Sequence, residues 1–68
     1  MTDTARLRAC IEAKGLKLKY VAKVLGLSSY ALSMKIENES EFKVSEVDAL
    51  ANLLGLSLIE KDEIFFCR

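Results

Sequence analysis

The chain has 68 residues, enough for one small domain over 1–68 and no more. It has no histidine, and its two cysteines, Cys10 and Cys67, lie far apart outside any CxxC pair, so no zinc site or other metal is expected. The net charge is zero, but seven Lys/Arg against two Asp/Glu in residues 1–35 give +5, and three against eight in residues 36–68 give −5, a polarity that suits phosphate contact on one side.

The polar start Met1-Thr2-Asp3-Thr4 is not expected to act as a secretion signal. No apolar run approaches the ~18 residues of a membrane span. A cytoplasmic protein with reduced thiols is the expectation.

A first helix is expected from Thr4 to Lys14, with Leu7, Cys10 and Ile11 as its apolar stripe. Cys10 reads as a small core residue. Gly15 ends the helix, and Leu16 follows as a hydrophobic contact. A second helix runs from Leu18 to Leu25, and a third from Ser29 to Ile36. Between them, Gly26 takes the left-handed conformation that ends the second helix sharply. Ser28 caps the third. Ala22 is small enough to let the two helices approach, and Val21, Leu25, Leu27 and Leu32 set their crossing. Over 18–37 this is the spacing of a DNA-binding helix-turn-helix.

At ~100° per residue, Ser29, Tyr30, Ser33, Met34 and Glu37 share one face of the third helix. Ala31, Leu32 and Lys35 share the other, with Ile36 at its edge. Serine hydroxyls donate to or accept from either type of base. The Tyr30 ring and Met34 thioether suit thymine methyls. Ser29, Tyr30, Ser33 and Met34 are therefore the candidate base readers. Lys17, Lys19, Lys23, Ser28 and Lys35 are the candidate phosphate contacts.

Residues 37–44 form a polar loop in which Phe42 and Val44 are expected to fold back onto the core. A fourth helix is expected from Ser45, with Ser45 and Asp48 as a capping box. Its apolar positions are Val47, Leu50, Ala51 and Leu54, and Gly55 ends it. Ser57 and Glu60 form a second capping box and open a short fifth helix. Leu58, Ile59, Ile64, Phe65 and Phe66 hold more apolar surface than so short a helix can bury. Ile64, Phe65 and Phe66 are therefore the expected dimer interface; the alternative is that one of the two rings folds back onto the first helix.

No cofactor and no catalysis are expected: there is no Gly-rich phosphate loop and no nucleophile–base pair.

The stretch GLKLKYVAKVLGLSSYALSMKIENESEF resembles the Cro/repressor-like (XRE-type) helix-turn-helix family of bacteriophages and prophages. Ser33-Met34-Lys35-Ile36, Phe42 and the closing Asp62-Glu63-Ile64-Phe65-Phe66 look like a subgroup from phages of Gram-positive hosts. The resemblance covers nearly the whole chain. It implies an all-α, five-helix, lambda-repressor-like domain that binds double-stranded operator DNA and regulates transcription. It also implies a homodimer on a near-palindromic site.

Four positions depart from that pattern. Leu18 stands where the family commonly has a glutamine touching a phosphate, so that contact passes to Lys17 or Lys19 or is lost. Lys35 falls at an often apolar position, and either snorkels to a phosphate or marks an early end of the helix. Asn38 takes the left-handed conformation where glycine is common. Glu37 repels phosphates unless it accepts from a cytosine amino group. Two other readings stay open: an antitoxin-type regulator of the same fold, and an antirepressor-like protein-interaction module that does not bind DNA.

Overall fold

Five short helices are set by local signals at their ends. The computed structural model describes residues 1–66, with α1 Thr4–Ala13, α2 Leu18–Leu25, α3 Ser29–Ile36, α4 Val44–Leu54 and α5 Leu58–Phe65. No strand is present among the described residues. Cys67 lies outside them. The fold is the expected all-α helix-turn-helix arrangement.

The helix starts follow side-chain chemistry. Asp3 accepts from the Arg6 N–H, and Ser28 Oγ accepts from the Ala31 N–H at 3.0 Å. Ser57 and Glu60 complete a reciprocal capping box. The start of α4 differs from expectation. It begins at Val44, and the Lys43 N–H donates to Glu46 Oε1 at 2.8 Å. Glu46 stands three residues after Lys43, the position from which a carboxylate reaches back to the chain. Ser45 consequently lies inside the first turn. Val44, 77% exposed, points to solvent and not onto the core. Phe42 does fold back, meeting Phe65 edge to face with ring centroids 5.5 Å apart.

The ends of α1 to α4 share one hydrogen-bond pattern. The amides of Leu16, Leu27, Glu39 and Leu56 each return to a carbonyl five residues earlier: Ile11, Ala22, Met34 and Ala51. Each needs a left-handed residue just before it. Gly26 supplies it at the helix-turn-helix joint with φ +72°, and glycine does so again after α1 and α4. After α3 the left-handed residue is Asn38, φ +63°.

The core is drawn from all five helices. Leu7, Val21, Leu32, Ile36, Leu50 and Ile64 are fully buried, and Ile11, Ala22, Val47, Leu54 and Phe65 nearly so. α2 packs on α3 and α4, α1 on α3 and α5, and α4 on α5. Cys10 is half-buried at the core margin, as expected. Ile36, expected at the edge of the inner face of α3, is fully buried within the core.

Two expected interface residues belong to this core. Ile64 is 0% exposed and Phe65 4%. The last turn of α5 is drawn inward by the Asp3 N–H, which donates to the Ile64 carbonyl at 2.7 Å. Phe65 fills the space beside Phe42. Burial of such a side chain stabilises by about 1.5–3 kcal/mol, and a core this small has few others to spare. Only Phe66 of the three remains half exposed, at 52%.

Candidate nucleic-acid interface

The two turns of α3 present a face because their other side is locked. Leu32 and Ile36 are wholly buried, so the residues opposite them point outward. Tyr30 is the most prominent, 75% exposed, and Ser29 beside it is exposed. Ser33 and Met34 are half-buried on the same outward side. All four candidate readers thus reach solvent, with Ser29 and Tyr30 foremost at the N-terminal end of the helix.

The cations sort into two sets. Lys17, Lys19 and Lys23 are exposed, and none has an ion-pair partner among the described residues. α2 also begins without a side-chain cap, since Lys17 at its start offers no acceptor. Lys17 and Lys19 flank the first residue of α2 in the chain, and neither has an ion-pair partner among the described residues. Ser28 is exposed, and its oxygen accepts from the Ala31 N–H, which leaves the hydroxyl hydrogen to donate outward.

Lys35 is different and is removed from the phosphate set. Its ammonium lies 2.6 Å from Glu46 Oε1 and 3.2 Å from the Glu41 carbonyl, and its side chain is only 12% exposed. α3 does not end early; the lysine stem leaves the core edge as expected, but its charge turns inward to α4. Burial pushes the Glu46 carboxyl up. The hydrogen bonds from Lys35 and the Lys43 N–H, with the charges of both lysines, outweigh burial and hold it below its ordinary value of 4.5.

The remaining departures also find their places. Glu37 pairs with the Arg8 guanidinium of α1, so its charge is compensated at the C-terminal end of α3. Leu18 is half-buried against the core and offers nothing to a phosphate. Arg6 pairs with Glu63 at 3.0 Å. With Arg6, Arg8 and Lys35 engaged, the positive surplus of the N-terminal half rests on Lys14, Lys17, Lys19 and Lys23.

A family model described as Helix-turn-helix matches residues 7–61, from α1 into α5. The chain belongs to the helix-turn-helix family. It is accordingly a DNA-binding transcription regulator, in a family generally without enzymatic activity. Searches of the curated proteins and of the solved structures each found no match. Among the described residues of this helix-turn-helix protein, no helix is long and apolar enough to cross a membrane. No three His, Cys, Asp or Glu side chains there are grouped to hold a metal ion.

Two large exposed side chains in the motif escaped the sequence reading, Tyr20 and the 44% exposed Val24. Tyr20, between Lys19 and Lys23 on α2, is 51% exposed. Its place on the helical wheel, opposite Leu18 and Leu25, was available to show it. The ties made by Asn38, described below, had no such signal.

Proposed function

We propose that this protein is a sequence-specific regulator of the Cro/repressor kind that binds a near-palindromic operator as a homodimer. Ser29, Tyr30, Ser33 and Met34 read base edges. Lys17, Lys19, Lys23 and Ser28 hold the flanking phosphates, together with the uncapped amides at the start of α2. What supports this reading is an exposed Tyr30 on α3 beside a helix, α2, whose Lys19 and Lys23, with Lys17 at its start, are exposed and have no ion-pair partner among the described residues, while Arg6, Arg8 and Lys35 are paired. The resemblance in Ser33-Met34-Lys35-Ile36 and Phe42 supports the phage or prophage assignment.

The dimer surface in this reading is Leu58, Ile59 and Phe66, which are 80%, 72% and 52% exposed. α5 packs on α1 and α4, so its outer side is free of the reading face. One short recognition helix distinguishes few base pairs, too few against ~10⁶ competing sites. A two-fold pair places two such helices about one DNA turn, ~34 Å, apart.

Selection of bound sequences from a random duplex pool, followed by binding at several salt concentrations, tests the reading. Two related half-sites one turn apart and a steep loss of affinity with salt are expected. Absence of any enriched sequence, with binding indifferent to salt, would leave a protein-interaction module instead.

A further inference from the structure

The C-terminal end of α3 is tied to three separate parts of the molecule. Lys35 reaches Glu46 of α4, Glu37 pairs with Arg8 of α1, and Asn38 binds the segment before α1. Among the described residues, the side-chain hydrogen bond at the N-terminal end of the same helix is its local Ser28 cap. The third tie is the most completely bonded. Asn38 Oδ1 accepts from the Thr2 N–H at 2.9 Å, and its Nδ2 donates to the Thr2 carbonyl at 2.9 Å and to Thr4 Oγ1 at 3.2 Å. Thr4 Oγ1 in turn donates to the carbonyl of Ile36, the last residue of α3, at 2.7 Å. That carbonyl is one of the helix-end acceptors that lack a partner within the helix.

The residue type at 38 is informative in itself. Three helices end in the same hydrogen-bond pattern on glycine, and only α3 does so on a residue with a side chain. The left-handed conformation is freest for glycine, and asparagine tolerates it better than most residues with a side chain. The backbone alone is better served by glycine, so what Asn38 adds is its amide.

We propose that Asn38 is a positioning residue for DNA reading: its amide straps residues 2–4 across the C-terminal end of α3 and fixes the angle at which that helix meets the groove. This rests on α3 being the base-reading helix. Asn38 touches no base; it acts through Ile36 and the strap. Loss of the strap leaves the lysines of α2 in place, so contact with phosphates is kept while the register of Tyr30 and Ser33 on the bases loosens.

Asn38→Gly keeps the backbone conformation and deletes the amide. Thr4→Val deletes the hydroxyl link, and Thr4→Ser restores it. Each is compared with wild type for affinity to a selected operator and to random duplex, and for amide hydrogen exchange in the free protein. The expected result for Asn38→Gly and Thr4→Val is a fall of about tenfold in the specific-to-random ratio, the scale of one net hydrogen bond. Random-duplex affinity and its salt slope stay unchanged, amides at Ile36 and Glu37 exchange faster while those of Val21 and Leu50 do not, and Thr4→Ser behaves as wild type. An unchanged ratio with unchanged exchange in Asn38→Gly overturns the proposal, as does an equal fall on both DNAs. A wild type without sequence preference overturns the base-reading assignment and the positioning role with it. The exchange data then still report whether the strap holds α3, so the two failures are distinguishable.

Discussion

Lys35→Met should destabilise the domain without altering its grip on phosphates. The lysine ammonium and the Glu46 carboxylate are 2.6 Å apart, with side chains 12% and 9% exposed. Removing one partner of a buried pair leaves the other charge uncompensated, at a cost of about 3–5 kcal/mol in fully buried cases. Here Glu46 keeps its bond from the Lys43 N–H, and neither side chain of the pair is wholly buried. A loss of about 2 kcal/mol follows, within the range for a charge-assisted bond. A chain of this length has roughly 3–10 kcal/mol of total stability, so the midpoint of thermal unfolding should fall by about 8–16 °C. The double variant Lys35→Met/Glu46→Gln should lose less than the two single losses combined, because a neutral amide still accepts from Lys43. The pH dependence has a definite sign. The Glu46 carboxyl is held below its ordinary value in the folded chain, so its contribution is complete above an unfolded value near 4.5. That contribution is lost as pH falls through the folded value. The gap between wild type and Lys35→Met should therefore narrow on acidification. Denaturant unfolding at neutral pH and at about pH 3 measures it. A gap below about 0.5 kcal/mol at neutral pH, the size of an ordinary surface change, or one that does not shrink in acid, would refute the reasoning.

Other outcomes follow from the same geometry. Lys19→Ala and Lys23→Ala should weaken binding to all duplexes alike and lower the salt slope by about one per lost contact, whereas Lys35→Met should leave that slope unchanged; titrations at four salt concentrations decide. Tyr30→Ala should cost roughly 1–3 kcal/mol in specific binding and nearly nothing in thermal stability, because its ring is already 75% exposed. Phe65→Ala should cost about 3–5 kcal/mol of folding stability, a large part of the total, and lower the thermal midpoint followed by circular dichroism by well over ~10 °C. Ile59→Ser should remain folded and shift sedimentation toward monomer, and an unchanged dimer would remove α5 from the interface.

Much of this protein was legible in one dimension because its signals are local. Gly15, Gly26 and Gly55 mark helix ends through a backbone preference that each carries alone. Ser28 and Ser57 mark helix starts through bonds that span three residues. The recurrence of Val21, Leu25, Leu32 and Ile36 sets the inner sides of α2 and α3, and with them the outward place of Tyr30. These features determined five helices, the helix-turn-helix and the outward side of α3.

Tertiary structure decided whatever depends on which distant group stands nearby. Lys17 and Lys35 look alike in sequence, yet the first has no ion-pair partner among the described residues and the second is neutralised by Glu46, eleven residues away on another helix. Ile64, Phe65 and Phe66 are one apolar run, but the bond from Asp3 to Ile64 and the ring of Phe42 draw the first two inward and leave the third outside. Asn38 shows its left-handed backbone in its residue type, while its partners Thr2 and Thr4 lie more than thirty positions earlier. Conformational preference belongs to a residue and its immediate neighbours, so a sequence carries it openly. Charge compensation and burial belong to pairs brought together only by folding, and no spacing along the chain encodes which pairs those are.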